Sequence, residues 1–391
     1  MVAAGEAQIE STVTGNSSPF FTSLKDAALK DQSQVYLPIN NALSPVGHVH
    51  GFIEEIGQGI QHIASRVDDL ITFVQNANDN RKLSGEGFTF LGIPRSYYGI
   101  LTIEQISYDI EGKSSSPTIS KGCAESIIGA CESSGIIDAE GAVDLGLTEN
   151  HVSSKLDAAM SHSPSDCQEE YERQKDVILS RILLSRYSNL YKLLRDNLTE
   201  ESYLGIVRNC ILVDVQGGDL LFQIFTSNIL QRVAGEESPF FEYIQRVCST
   251  SSLHDGCEAV LKPGCGGFGI RNFLTLFLSI EVGKAMREVS RAKKDGDTAT
   301  QEMAEKMVHI FTDQLNEANP ILTDISDAMT AEGNARDRLE IAIENCDENV
   351  FAKLQQEIDD AVTSKIAGNE KLMTCSSKYM NLMRDLRERR Q

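Results

Sequence analysis

The stretch CILVDVQGGDLLFQIFT, residues 210–226, limits what this chain can fold into more than any other. Two apolar runs flank Gly217-Gly218, and a two-glycine link between such runs predicts an antiparallel hairpin with strands at 210–216 and 219–226. FFEYIQRV (240–247) reads as a third strand. Upstream, GIQHIASRV (59–67) and FTFLGIP (88–94) read as strands, and SQVYLPIN (33–40) as an extended segment that stops at Pro38. DDLITFVQNANDN (68–80) reads as a helix with Asp68 and Asp69 in its first turn, where carboxylates suit the helix dipole. The class is therefore α+β.

Residues 113–166 are rich in Ser, Gly and Ala with weak periodicity, which predicts a poorly ordered insertion holding two short helices. From Glu169 to Leu198 the apolar spacing turns helical, through Ile178, Ile182, Tyr187, Leu190 and Leu194. NFLTLFLSIEVGKAMREVSRA (272–292) reads as an amphipathic helix. The chain beyond reads as polar helix interrupted at Pro320 and Gly333. There Met303, Met307, Ile310, Phe311 and Leu315 form one stripe, the seam of a helical hairpin or of an oligomer; a homodimer is the expected assembly. Residues 1–17 are small and polar, which predicts disorder. The expected segments are thus 1–17, a domain in two parts (18–101 and 184–292), an insertion (102–183) and an acidic helical tail (293–391).

With 391 residues the chain can bury a sizeable core. Its formal net charge of −21 excludes a general nucleic-acid or anionic-membrane binder, both of which need cationic surface. There is no apolar run of about eighteen residues, so no spanning helix is predicted. The first basic residue is Lys25, which argues against a basic signal peptide or an arginine-rich transit peptide. Nine cysteines at irregular spacing, with no CxxC, read as reduced thiols of a cytoplasmic protein.

Two motifs bear on chemistry. GCGGFG (264–269) fits G-x-G-x-x-G, but Glu258, Lys262 and Pro263 make the approach a poor buried strand, so a glycine hinge before a helix is the better interpretation than a dinucleotide site. The more informative set is His62 with Glu242. His62 sits in a short apolar strand, where it is either a core histidine with a satisfied hydrogen bond or a metal ligand. Glu242 lies among Phe240, Phe241 and Tyr243, and a carboxylate there is costly unless paired or metal-bound. An imidazole and a carboxylate suit non-haem Fe(II), which takes two histidines and one carboxylate on one face. Gln223, inside LLFQIFT, is a third polar group in an apolar strand and suits a polar group of a substrate.

These stretches resemble, in order, the C-terminal domain of 4-hydroxyphenylpyruvate dioxygenase, a family of the vicinal-oxygen-chelate fold. The matching segments are LPIN (37–40), GQGIQHIASRVDDLITFV (57–74), FTFLGIPRSYY (88–98), ILVD (211–214), LLFQIFT (220–226), FFEYIQR (240–246) and GCGGFGIRNFLTLFLSIE (264–281), under half the chain. The resemblance implies an open barrel of βαβββ modules around Fe(II), and a reaction that turns 4-hydroxyphenylpyruvate and O2 into homogentisate and CO2 in tyrosine catabolism. It places His62 and Glu242 at metal positions, and Gln223, Asn40 and Gln61 at catalytic positions. It places Phe225, Phe240, Phe268, Asn272, Phe273 and Phe277 along the pocket or its closing helix.

The chain departs from the pattern in ways that matter. The family's first iron histidine lies upstream of the matched strands, and no histidine precedes His48 here. His48 and His50, in GHVHGF, are candidate replacements, and an extended segment would point them to opposite faces. Arg271 stands where the family has a hinge glycine. With one histidine and one carboxylate, weak Fe(II) binding and slow or no turnover are expected. The alternative is a partial or degenerate member that acts as a binding or interaction protein.

Overall fold

The computed structural model describes residues 2–4, 7–15, 36–45, 48–108, 116–194, 198–216, 219–227, 238–247, 270–345 and 348–388. They divide into two compact units, one within 1–91, 212–278 and 310–391, the other within 92–211 and 279–309.

Among the described residues the first unit holds two sheets. In the smaller, β1 (Val2–Ala4), β2 (Ala7–Gly15) and β3 (Tyr36–Ala42) are antiparallel in that order. Two expectations change here. Residues 2–4 and 7–15 of the segment expected to be disordered are strands, and β3 runs through Pro38 to Ala42, because an edge strand tolerates a residue without an N–H. His48 and His50 lie in helix α1 (His48–Glu55) and not in an extended segment. Two residues apart in a helix is about 200° of rotation, so the two positions still face nearly opposite ways.

The larger sheet positions the site. Its strands are β4 (His62–Arg66), β5 (Thr89–Phe90), β6 (Leu212–Gln216), β7 (Asp219–Ser227) and β8 (Phe240–Val247). β6 and β7 form the antiparallel hairpin, with Gln216 opposite Asp219; Gly217-Gly218 lie outside the described residues. β8 pairs antiparallel with β7 and parallel with β4. β5 pairs antiparallel with the C-terminal end of β7, at Phe90 and Thr226, while β6 pairs with its N-terminal half. Thus β5 and β6 lie end to end along one edge, and the chain reads strand, helix, a strand in two pieces, strand, strand. The helix is α2 (Leu70–Ser84), beginning two residues later than Asp68 and Asp69 had suggested. Asp69 is its N-cap, accepting from the Thr72 backbone N–H at 3.1 Å, and Gly85 (φ 74°) ends it in the left-handed region. Leu70 and Val74 are buried. Phe73 meets Tyr243 with ring centroids 4.7 Å apart, so α2 covers the sheet face that carries Tyr243 and Gln245.

Helix α10 (Ile270–Asp295) comes later in the chain than the helices of residues 92–211. Beyond it, α11 (Thr298–Glu344) and α12 (Phe351–Glu388) are long. Helix α11 runs unbroken through Pro320 and Gly333, against the expected interruptions. An interior proline costs about 3 kcal/mol. Burial of Ala318, Leu322 and Ile325 around it, and of Ile358, Leu372 and Tyr379 on α12, offsets that cost. Antiparallel pairing is fixed by the Glu317 carboxylate, which accepts from Tyr379 Oη at 2.8 Å, and by Lys365 beside Glu332.

The second unit is helical. It contains α3 (Arg95–Tyr98), α4 (Ile103–Ser107), α5 (Lys121–Ser133), α6 (Glu149–Met160), α7 (Ser165–Leu184), α8 (Ser188–Leu194) and α9 (Glu200–Arg208). The two short helices predicted in 113–166 are α5 and α6, but they belong to a well-packed core. Ile106, Ile119, Cys123, Ile127, Val143, Leu156, Tyr171 and Ile182 form one buried cluster. The sequence hides it because each helix is short and several buried positions are Cys, Ala or Val. Thr102 with Gln105 forms a capping box, and Ser120 and Thr148 accept N-cap hydrogen bonds. Among the described residues no helix is long and apolar enough to cross a membrane.

Candidate metal centre

Register alone gathers the polar residues onto one face of the larger sheet. His62 is level with Phe240 and Ala64 with Glu242 across the parallel β4–β8 pair. Phe225 is opposite Glu242 and Gln223 opposite Ile244 across β7–β8. Directly paired residues share a face, so His62, Phe240, Glu242, Phe225 and Gln223 all point away from α2. His62 and Glu242, 180 residues apart in the chain, sit on adjacent strands, two positions apart in register.

His62 Nε2 lies 3.4 Å from Glu242 Oε2. Glu242 is only 5% exposed. Its Oε1 accepts from Gln223 Nε2 at 2.6 Å, and Gln223 Oε1 in turn accepts from Asn272 Nδ2 at 2.6 Å. The His62 ring stacks on Phe240, centroids 4.9 Å apart and planes within 6°, and Phe225 meets Phe240 edge-on at 5.5 Å. His62 Nδ1 is buried without a hydrogen-bond partner.

Beside this group, Arg271 Nε is 3.5 Å from Asp214 Oδ1, both side chains nearly buried. Burial pushes the Asp214 carboxyl up to about 6, although Arg271 and the backbone N–H groups of Val215, Arg271 and Asn272 pull the other way. Asp214 thus accepts from the first turn of α10, while Arg271 Nη2 donates to Thr323 Oγ1 at 2.8 Å. The sequence reading missed Asp214. Its signal, an acidic residue inside the apolar run ILVDV, is the one that singled out Glu242.

The other predicted positions fall differently. Asn40 lies on β3 in the separate sheet, level with Ser11, and no described hydrogen bond joins it to this group. Gln61 immediately precedes β4; its backbone carbonyl accepts from Phe240 N–H at 3.0 Å. The amide of Gln223 is committed at both ends to protein partners instead of standing free for a substrate. Phe268 and all of GCGGFG lie outside the described residues, as do the side chains of Phe273, Phe277 and His48. His50 is half-buried on α1.

Two donor atoms bound to one ion at about 2.1 Å and at right angles stand about 3 Å apart. The 3.4 Å spacing of His62 Nε2 and Glu242 Oε2 fits two protein corners of one cation site, with Nε2 as the imidazole donor and Nδ1 on the other side of the ring. Among the described residues no third His, Cys, Asp or Glu converges on them.

Fold and site together define a mixed α+β protein with an imidazole–carboxylate pair on the face of an open sheet. Over about a quarter of its length the chain is similar to 4-hydroxyphenylpyruvate dioxygenase: 39% identical over 95 residues to that of Arabidopsis thaliana (24% of this chain, 20% of that protein). It is 37% identical over 102 residues to that of Plectranthus scutellarioides (26% and 22%). It is 39% identical over 100 residues to that of Daucus carota (24% and 20%). The chain spans about a fifth of the length of these curated relatives. No protein-family model matches it.

Proposed function

We propose that the first unit is a non-haem Fe(II) site of the vicinal-oxygen-chelate type, acting on 4-hydroxyphenylpyruvate and O2 to give homogentisate and CO2. The observation that carries this is the pair of half-buried His62 and buried Glu242, with Nε2 and Oε2 3.4 Å apart on one sheet face. With β5 and β6 counted as one strand interrupted by the helices of the second unit, the order strand–helix–strand–strand–strand supports the same reading, as do the dioxygenase relatives. His62 and Glu242 would hold the metal. When bound, Fe(II) supplies a chelation point for a 2-oxo acid and the means to activate O2. Phe240, stacked on His62, and Phe225, edge-on to Phe240, offer an apolar wall for a phenol ring. Residues 102–183 and 293–391 we take as additions to this unit, in a cytoplasmic homodimer.

The test is anaerobic Fe(II) titration of the full chain beside His62→Ala and Glu242→Ala, followed by exposure to 4-hydroxyphenylpyruvate and O2 with homogentisate as readout. Weak binding, lost in either variant, and slow or absent turnover are expected. Binding indifferent to both substitutions refutes the site. The two-donor count favours one second reading, a family relative that binds without turnover. Saturable binding of 4-hydroxyphenylpyruvate with no homogentisate at any iron concentration would select it.

A further inference from the structure

We infer that Asn272, acting through Gln223, is a positioning residue that determines which oxygen of Glu242 a bound cation meets. This rests on the reading of His62 and Glu242 as cation ligands. The direction of the hydrogen-bond chain is set by chemistry. An ionised carboxylate only accepts. Gln223 must therefore turn its NH2 toward Glu242 Oε1, which leaves its own oxygen facing α10. Asn272 must in turn present its NH2 to that oxygen. Reversing either amide would set two acceptors against each other where Gln223 is 4% and Asn272 2% exposed, and no water could compensate.

The result is that Oε1 is held from the α10 side and Oε2 alone is turned toward His62. The start of α10 is itself anchored, by Asp214 accepting from the backbone N–H groups of Arg271 and Asn272 and by Arg271 reaching Thr323. A residue that touches no metal thus sets the carboxylate geometry, as outer partners of metal ligands do.

The experiment is a cycle on the full chain with Co(II) as probe, read by visible absorption. Asn272→Ala is expected to weaken Co(II) binding about 10-fold and to change the absorption band. In a Gln223→Leu background the same substitution should change neither, because the chain is already cut. An equal effect in both backgrounds, or none in the native one, overturns the relay. Should Asn272→Ala not fold, Asn272→Ser takes its place.

Failure of the metal reading looks different: no Co(II) uptake by the native chain, or uptake that survives His62→Ala. The relay is then judged on metal-free protein by urea unfolding. Asn272→Ala and Glu242→Gln should be non-additive with Gln223 present and additive with Gln223→Leu. Additivity in both overturns the proposal.

Discussion

Asp214→Asn should remove a pH dependence that can be given a size and a sign. The carboxyl is 7% exposed, and burial raises it from 3.8 to about 6 in the folded chain. Because the folded value lies above the unfolded one, the folded state holds the proton more tightly. The group therefore contributes least above about pH 6, where a buried charge is carried, and its contribution grows as pH falls toward about 4. About two units at 1.36 kcal/mol each gives about 3 kcal/mol as the full difference. Asparagine keeps the shape and an acceptor for the α10 N–H groups but does not titrate. The assay is urea unfolding followed by far-UV circular dichroism, since the chain has no tryptophan. Between about pH 7 and pH 4 the native chain should gain most of this, about 2 kcal/mol, relative to the variant, whatever the background titration common to both. Parallel profiles for the two proteins would refute the assignment of the buried charge. Arg271→Gln, which removes a group that lowers the carboxyl, should move the same window to higher pH.

Two further outcomes follow from packing. A Cβ on Gly368 of α12 would stand 2.6 Å from Ile325 Cγ1 of α11, so Gly368→Ala should lower the thermal midpoint although alanine ordinarily favours a helix by about 1 kcal/mol. Pairing it with Ile325→Ala should cost less than the sum of the two; a raised midpoint for Gly368→Ala alone would contradict the close approach. Burial pushes the thiols of Cys123 and Cys131 up to about 12, so iodoacetamide at mildly alkaline pH should spare both in the native protein and label them after unfolding. Prompt native labelling of Cys131 would show that the helical core opens.

Local signals were enough for much of this molecule. The hairpin β6–β7, strand β8 and helix α10 lie within a few residues of their predicted bounds, because alternation, a glycine pair and helical spacing act between near neighbours in the chain. The residue types of the site were legible for a similar reason: an imidazole or a carboxylate inside an apolar strand is costly wherever the strand goes. Tertiary structure decided the rest. Helix α11 passes Pro320 because burial against α12 outweighs a lost hydrogen bond, and propensity cannot register a partner more than fifty residues onward. Strands β1 and β2 exist through pairing, not composition. Asn40 reads as a pocket residue but folds into another sheet, whereas Asp214, a carboxylate in an apolar strand like Glu242, turns out to anchor the helix that carries Asn272. The parallel pairing of β4 with β8 brings His62 to Glu242, and the charge of that carboxylate then orients Gln223 and Asn272 in turn. A sequence specifies which groups must find partners; only the paired strands, by placing alternate residues on a common face, determine which partners they find.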